Sequence, residues 1–506
     1  MISTNRPASL FFSSTLKNSV IANLLQTIFT ALLLFIVYRL LKDSIGIERF
    51  GVWAVVVSLA STSRLIDMGL SSGITKFVAK AVAAKRPSEA AQIIETNLIT
   101  LAVLSAIVLM LIYQLSPYLF EYVFKKNDLV QALEISPIVF LVLWFSIVGS
   151  VIQSALDGCQ KIVARSVLVI ISQFIFFAFS LILIPRFHLI GVIAAQFLQS
   201  FFLLLCGWPI LRRALPELSF IPSIWKWRVL KEMFGYNLNV QISSILIMLF
   251  DPITKFVLVK FGGPASAGYF EMANQIVSKT RGLIVYANQT VVSRIASIVE
   301  TDSSALNAFY FKNFKVALVF AAPIFTFLFF LSTFFSILML GEYQYQFVLF
   351  LNLLILAWFV NAITSPAYFF NIGKGDVALN TFSHAITGFL NLFLSYFYGY
   401  YGYGANGVVF GYALSLILGS TVFIIMFNKK NDFELISYQD RDSLKVLICC
   451  LFGIIIFFIF NLLFEFYVSA FYLKLVALFI SLLVVFQGVR KTSIWNEIFD
   501  TKPNLI

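Results

Sequence analysis

The chain has 506 residues, of which 60% are hydrophobic and only 12% are charged, and its formal net charge is +12. A soluble domain is usually about 25% charged, so this composition indicates a membrane protein and excludes a large soluble catalytic domain. The basic residues stand singly in short connections, which excludes a continuous nucleic-acid-binding surface. We therefore expect membrane lipids, and no nucleic acid, as partners.

Apolar stretches long enough to cross a membrane follow one another along the whole chain. Cutting them at charged and Gly/Pro clusters predicts spans near 18–41, 50–69, 90–115, 132–156, 163–185, 189–211, 233–260, 265–290, 315–340, 346–370, 378–400, 405–427, 445–464 and 468–489. These runs are continuously apolar and too long for barrel strands. The prediction is an all-α polytopic membrane protein with about fourteen transmembrane helices.

Lysine and arginine residues favour one side of this predicted topology. Counting them in alternate connections gives about 24 on one side and about seven on the other. Basic connections stay in the cytoplasm. Both termini of this multi-pass chain are therefore expected to be cytoplasmic.

The two halves of the chain resemble each other at an offset of 217 residues. At this offset Gly46, Gly51, Trp53 and Arg64 lie opposite Gly263, Gly268, Phe270 and Arg281. An even number of helices separates the two copies, so they have the same orientation in the membrane. This predicts two pseudo-symmetric six-helix lobes plus two C-terminal helices. The predicted divisions are an N-lobe at 1–215, a cytoplasmic inter-lobe linker at 216–232, a C-lobe at 233–430, and helices 13 and 14 with a cytoplasmic tail at 431–506.

Ionisable residues inside the predicted spans are few and clustered. Each one costs about 2.5 to 3.5 kcal/mol at the bilayer centre, so such residues normally face a cavity or a partner. The seven found in spans 2, 7 and 8 are Arg64, Asp67, Asp251, Lys255, Glu271, Lys279 and Arg281. We expect them to line a polar cavity.

Helical spacing places many polar residues on shared faces. In span 7 the face comprises Asn237, Gln241, Ser244, Asp251 and Lys255, and in span 8 it comprises Asn274, Ser278, Arg281 and Asn288. Spans 1 and 2 also carry polar residues. These four are the first two helices of each proposed lobe, which predicts a cavity on the pseudo-symmetry axis.

The residue types suggest roles for these side chains. Arginine binds phosphate or carboxylate oxygens bidentately, so Arg64 and Arg281 are the leading substrate-binding candidates. The full substrate-binding prediction is Arg64, Arg281, Lys279, Lys255, Asn274 and Gln241, and the ion-coupling candidates are Asp67, Asp251 and Glu271. Two alternatives stay open. Arg64 with Asp67, and Asp251 with Lys255, have the spacing of local ion pairs, and the neutral residues could simply join helices by hydrogen bonds.

Motifs for enzymatic chemistry are missing from the sequence. There is no Gly-rich phosphate loop, no paired-histidine metal motif and, with two histidines, no setting for a Ser-His-Asp triad. The four cysteines have no metal-ligand spacing. We predict no catalytic residues, metal or cofactor, and these absences favour transport over catalysis.

Two segments carry a family resemblance. Gly46–Trp53, followed by Asp67–Leu70 and a basic stretch through Arg86, resembles the Wzx-type O-antigen or repeat-unit flippases. These form the polysaccharide-transport branch of the multidrug/oligosaccharidyl-lipid/polysaccharide flippase superfamily. The segment Gly263–Phe270 is similar to the same family. The resemblance implies a MATE-like fold, with two six-helix lobes around a V-shaped cavity.

The resemblance also implies a function. It is that of a flippase in the bacterial inner membrane, which moves an undecaprenyl-pyrophosphate-linked oligosaccharide from the cytoplasmic to the outer leaflet by alternating access. Other polysaccharide assembly proteins are then expected partners. The alternative is a cation-coupled drug antiporter of the same superfamily, in which the acidic residues bind the substrate. A membrane glycan polymerase or ligase is a third hypothesis, which requires a large outer loop.

Overall fold

A computed structural model describes residues 14–62, 70–234, 238–289, 291–301, 305–433, 440–463 and 470–493. Within these ranges every regular element is a helix. Two compact units are present, Met1–Ser244 and Ile245–Ile506. The finer division into lobes, linker and trailing helices stays a prediction.

The described residues of the first unit form six complete helices and the start of a seventh. The six complete helices are α1 (Ser14–Ser61), α2 (Leu70–Ala83), α3 (Pro87–Val123), α4 (Lys126–Gly158), α5 (Ile162–Ala214) and α6 (Trp227–Phe234). The long helices α1, α4 and α5 pack against one another, and α2 and α3 pack on α4. Intrahelical hydrogen bonds satisfy the backbone of such apolar segments, as a membrane interior requires.

The second unit starts within α7 and continues to the last helix. Its elements are α7 (Leu238–Gln289), α8 (Val291–Thr301), α9 (Ala305–Phe330), α10 (Ser332–Leu340), α11 (Tyr345–Ile363), α12 (Ser365–Lys374), α13 (Ala378–Tyr398), α14 (Gly404–Asn431), α15 (Arg441–Leu463) and α16 (Ala470–Arg490). Helices α13 and α14 form the most extensive pair and α11 packs on α14. A short π-helical turn, Gly399–Tyr403, joins α13 to α14.

Three of the longest helices are hairpins, because each contains one residue with a left-handed backbone. These residues are Gly46 (φ 79°) in α1, His188 (φ 51°) in α5 and Gly263 (φ 75°) in α7. Side chains on the two arms then meet. In α5, for example, Gln199 Nε2 donates to Gln173 Oε1 at 3.0 Å. The reversals fall between predicted spans, at the connections where the sequence was cut.

Eight helices among the described residues are long and apolar enough to cross a membrane by length and composition. Three of these segments, Leu32–Ser61, Ile162–Ala214 and Ala378–Asn431, each contain a chain reversal. The protein is therefore a multi-pass membrane protein. The predicted total of about fourteen spans stays a prediction.

Gly46 and Gly263 have nearly the same backbone conformation, with φ and ψ of 79° and 161° at the first and 75° and 172° at the second. Glycine adopts positive φ without a steric penalty, whereas a Cβ makes this region costly. The two residues are equivalent at the 217-residue offset. The sequence similarity between the halves therefore corresponds to a shared backbone reversal.

The connection after α5 is bound to α3 through Glu95, whose side chain is 0% exposed. Its carboxylate accepts hydrogen bonds from the backbone N–H groups of Ser219 (2.7 Å), Ser223 (3.0 Å) and Ile224 (2.9 Å). Trp225 Nε1 adds a hydrogen bond to Thr100 Oγ1 at 3.0 Å. Much of the predicted inter-lobe linker is thus packed on the first unit.

The last two helices pack on α9 in the second unit. Their shared apolar core comprises Val319, Ala322, Val446, Cys450, Val485 and Val489. Beside it, Lys315 Nζ lies 3.0 Å from Asp440 and 3.2 Å from Asp442. Apolar packing and these ion pairs together hold α15 and α16 in the second unit.

Candidate functional site

The buried charges of α7 meet across the reversal at Gly263. Lys255 and Glu271 lie eight residues before and after this glycine, so the hairpin places them opposite each other. Lys255 Nζ is 2.5 Å from Glu271 Oε2 and 2.7 Å from Asp251 Oδ2. We call Asp251, Lys255 and Glu271 the lysine–carboxylate cluster. With all three groups ionised, its net charge is −1.

Two side-chain amides complete the cluster. Asn274 Nδ2 donates to Asp251 Oδ1 at 3.1 Å, and Gln275 Nε2 donates to Glu271 Oε1 at 2.8 Å. Every carboxylate oxygen of the cluster therefore has a described partner. Lys255 is 4% exposed and Glu271 is 7% exposed, whereas the side chain of Asp251 is 37% exposed, so the Lys255–Glu271 pair is withdrawn from solvent and Asp251 lies at the accessible edge of the cluster.

Arg281 lies in a different place, at the wall of a cavity of about 400 Å³ that we call the Arg281 cavity. The residues that line it come from α7, from α11 to α14 and from the turn between α11 and α12. They are Arg281, Val285, Asn361, Thr364, Ser365, Tyr368, Phe369, Ile372, Asn380, Ser383, His384, Thr387, Leu416, Ser420 and Phe423. All of them belong to the second unit.

The guanidinium of Arg281 is held by two contacts. Its Nε donates to Asn361 Oδ1 at 3.1 Å, and its Cζ lies 4.7 Å from the centre of the Trp358 ring. Asn361 in turn donates to Ser420 Oγ at 3.1 Å. A guanidinium has five N–H donors, and the bond to Asn361 uses the Nε donor, which orients the plane of the group.

The chemistry of the Arg281 cavity suits an anion that carries hydroxyl groups. None of its described lining residues is acidic, whereas amides and hydroxyls are abundant. His384 Nε2 is buried and makes no hydrogen bond with the described residues. The cavity therefore combines one positive charge with several hydrogen-bonding groups and the aromatic rings of Tyr368, Phe369 and Phe423.

Tyr412 of α14 lies near both the lysine–carboxylate cluster and Arg281. It interacts with both Asp251 and Arg281 and is only 1% exposed. Its ring also contacts Phe250 and Phe270, with ring centres 4.7 Å and 5.3 Å away. A buried aromatic cluster thus lies close to both the lysine–carboxylate cluster and Arg281.

The structure brings together four of the predicted site residues, Asp251, Lys255, Glu271 and Asn274. The local ion pair between Asp251 and Lys255 is present. Lys279 interacts electrostatically with Glu271, while Arg281 belongs to the separate cavity. Arg64, Asp67 and the side chain of Gln241 lie outside the described residues, so their predicted roles stay predictions.

Several residues around Arg281 were missed by sequence reasoning. Asn361 stands among apolar residues of α11, Ser420 is followed by Thr421 on α14, and α13 carries Asn380, Ser383, His384 and Thr387 within two turns. The helical spacing of these α13 residues was the available signal. Sequence reasoning concentrated on ionisable residues, and α11 and α13 contain none of Asp, Glu, Lys or Arg.

The arrangement is that of a helical multi-pass membrane protein with polar and ionic sites among its helices. Solved structures share its fold. One described as the lipid II flippase MurJ in an inward closed conformation has a TM-score of 0.70 and 16% identity, over 95% of this chain and 98% of that chain. An inward-facing multidrug resistance MATE family transporter of the MOP superfamily has a TM-score of 0.67 and 16% identity, over 80% and 94% of the two chains.

The sequence itself matches the polysaccharide biosynthesis protein family over residues 16–298, more than half of the chain. The protein belongs to this family. A search of curated protein sequences finds no match. The predicted MATE-like, all-α fold is confirmed for the described residues.

Proposed function

We propose that the protein flips an undecaprenyl-pyrophosphate-linked oligosaccharide, such as an O-antigen or another polysaccharide repeat unit. Movement is from the cytoplasmic to the outer leaflet of a bacterial inner membrane, by alternating access, with both chain termini in the cytoplasm. The observation that carries this proposal is the Arg281 cavity. Family membership supports the glycan, and the cavity supports an anionic group within it.

Arg281 binds an acidic group of the substrate in this proposal. Burial of a guanidinium in an apolar protein region is costly unless the charge finds a partner, and its described contacts are a neutral amide and an aromatic ring. A pyrophosphate or a sugar carboxylate supplies the missing negative charge. The surrounding amides and hydroxyls bind sugar hydroxyl groups while the polyprenyl chain stays in lipid.

The membrane potential assists this movement. A bacterial cytoplasm is electrically negative, so an anion gains about 2.3 kcal/mol per charge and 100 mV on moving outward. The drug-antiporter hypothesis instead needs Asp251 or Glu271 to receive a cationic substrate. Lys255 already contacts both carboxylates, which favours the flippase.

Reconstitution tests the proposal. The purified protein is placed in liposomes with a fluorescent undecaprenyl-pyrophosphate oligosaccharide, and a membrane-impermeant glycan-cleaving enzyme reports exposure of the glycan. We expect the wild type to accelerate exposure and Arg281→Ala to slow it about tenfold or more, because hydrogen bonds to charged groups contribute about 1.5–3 kcal/mol.

Arg294→Ala is the matched control, since Arg294 is exposed on α8, and it should behave as wild type. Arg281→Lys keeps the charge but loses the bidentate geometry, so its rate should lie between wild type and Arg281→Ala. Failure of the correctly folded and inserted wild type to accelerate exposure contradicts the proposed activity for this substrate. Equal rates for wild type and Arg281→Ala contradict the assigned anion site.

A further inference from the structure

The lysine–carboxylate cluster has the arrangement of a monovalent-cation site that an internal side chain already fills. Lys255 Nζ lies between one oxygen of Asp251 and one of Glu271, at 2.7 Å and 2.5 Å. An alkali cation carries the same single positive charge as an ammonium group and takes oxygen ligands, as hard cations generally do. The ammonium therefore occupies the position where the two carboxylates would hold such an ion.

The remaining contacts hold the carboxylates in place. Asn274 and Gln275 donate to the outer oxygens of Asp251 and Glu271, which leaves the inner oxygens turned towards Lys255. The lysine lies one helical turn from Asp251 on the first arm of α7, and Glu271 lies on the second arm. The hairpin at Gly263 thus places the ammonium group between the two carboxylates, and no external ion is needed to hold them in position.

Electrostatics requires a cation at this position. Glu271 is buried and pays a large desolvation cost unless a positive charge compensates it, and the carboxylate of Asp251, which is 37% exposed, adds a second negative charge beside the same ammonium group. Lys255 is 4% exposed and provides that charge. Lys279 interacts with Glu271 from the same arm, and its side chain is only partly buried.

We propose that Lys255 is a built-in counter-ion that replaces an exchangeable alkali cation in this unit, so that the protein works without binding sodium or potassium at Asp251 and Glu271. This assignment replaces the substrate-binding role that the sequence suggested for Lys255 and the ion-coupling role suggested for the two acids. Its consequence for coupling rests on the proposed flippase function. The inference that no alkali cation binds at Asp251 and Glu271 is independent of that function.

Ion binding to the purified full-length protein in detergent provides the test. Thermal unfolding is compared in sodium, potassium and N-methyl-D-glucamine chloride at equal ionic strength, for wild type, Lys255→Met and Lys255→Arg. We expect the wild-type and Lys255→Arg midpoints to be the same in all three salts. Lys255→Met exposes both carboxylates to an external ion, so sodium or potassium should raise its midpoint by about 3 °C or more relative to N-methyl-D-glucamine.

Lys429→Met is the control for removal of a lysine, since Lys429 is exposed at the end of α14, and its midpoint should not depend on the cation. A specific sodium or potassium shift in the wild type overturns the proposal. So does a folded Lys255→Met variant without any shift. If Lys255→Met does not fold, Lys255→Ser, which keeps both carboxylates and adds a hydroxyl ligand, replaces it with the same expected shift, and absence of that shift counts equally against the proposal.

Flipping assays then measure the consequence for coupling. The wild-type rate should be unchanged when N-methyl-D-glucamine replaces sodium, and the Lys255→Met rate should rise with sodium. Because the thermal measurements contain no lipid-linked substrate, they remain valid if the protein flips a different molecule. Failure of the counter-ion proposal and failure of the flippase proposal are therefore distinguishable.

Discussion

The hairpins of α1 and α7 reverse direction in the same way, but different side-chain contacts join their two arms. Each reverses at an equivalent glycine, Gly46 or Gly263. In α1 the arms meet through rings, with Tyr38 centred 5.0 Å from Phe50 and 6.4 Å from Trp53. In α7 the arms are joined by an ion pair between the side chains of Lys255 and Glu271.

The 217-residue offset makes this difference specific. It aligns Tyr38 with Lys255 and Ala54 with Glu271, and the position equivalent to Asp251 is Leu34. The lysine–carboxylate cluster is therefore a feature of one half of the chain. Packing suffices to close the α1 hairpin, so the buried charges of α7 are not a requirement of the backbone reversal. This contrast is why we assign them a function.

Removing the lysine should have the largest effect on stability. We expect Lys255→Met, in buffer without alkali cations, to lose about 3–5 kcal/mol of unfolding free energy, because it leaves the buried carboxylate of Glu271 uncompensated next to Asp251. The triple variant Asp251→Asn/Lys255→Met/Glu271→Gln removes all three charges and should recover at least half of the loss. Denaturant unfolding of the detergent-solubilised protein measures both. Equal losses in the two variants would show that the charges do not interact.

Truncating the aromatic contact of the α1 hairpin should have a smaller effect. Tyr38→Ala removes a side chain that is 3% exposed and its ring contacts, at a cost of about 2–3 kcal/mol from the cavity and the lost aromatic pairing. Tyr118→Ala is the control, since Tyr118 is 74% exposed. The same unfolding measurement applies, and the Tyr38→Ala midpoint should not depend on the cation in the buffer. A sodium-dependent midpoint would undermine the contrast between the hairpins.

Substituting the two hairpin glycines should have the smallest effect and a similar one in both units. Gly46→Ala and Gly263→Ala should each cost roughly 1–2 kcal/mol, because a Cβ is strained at their positive φ although space is open around it. Gly149→Ala is the control, since Gly149 lies inside α4 with an ordinary helical φ and open space, and it should gain up to about 1 kcal/mol. Thermal or denaturant unfolding distinguishes the expected loss of stability in the hairpin variants from the expected gain in the control. A loss confined to one hairpin would mean that the reversals are not equivalent.

The connection after α5 shows a limit of sequence reasoning. Its length and charge predicted a cytoplasmic linker, but Glu95 was not singled out, because it is a single glutamate more than two turns inside α3, near the start of a predicted span, with no other feature that indicates a partner. Its function depends on three backbone N–H groups more than 120 residues away. Nothing local to Glu95 identifies these partners.

The site shows the same limit. Helical spacing placed Asn274, Ser278 and Arg281 on one face, and we expected a single cavity. In the structure Asn274 faces the lysine–carboxylate cluster and Arg281 faces its own cavity, because seven residues of helix span about 10 Å and different neighbours pack beside each turn.

Local sequence was sufficient to predict the membrane class, the helical nature of the chain, most of the boundaries between helices and the equivalence of Gly46 with Gly263. These follow from local apolar content and from residue conformational preferences, which do not depend on distant neighbours. Three-dimensional packing was needed to show which charges meet, that Lys255 lies between Asp251 and Glu271, and that Arg281 lines a separate cavity. Those outcomes depend on how the arms of a hairpin align and on which helices pack beside them, since an ion pair or a cavity forms only where side chains from separate segments come within a few ångströms of each other.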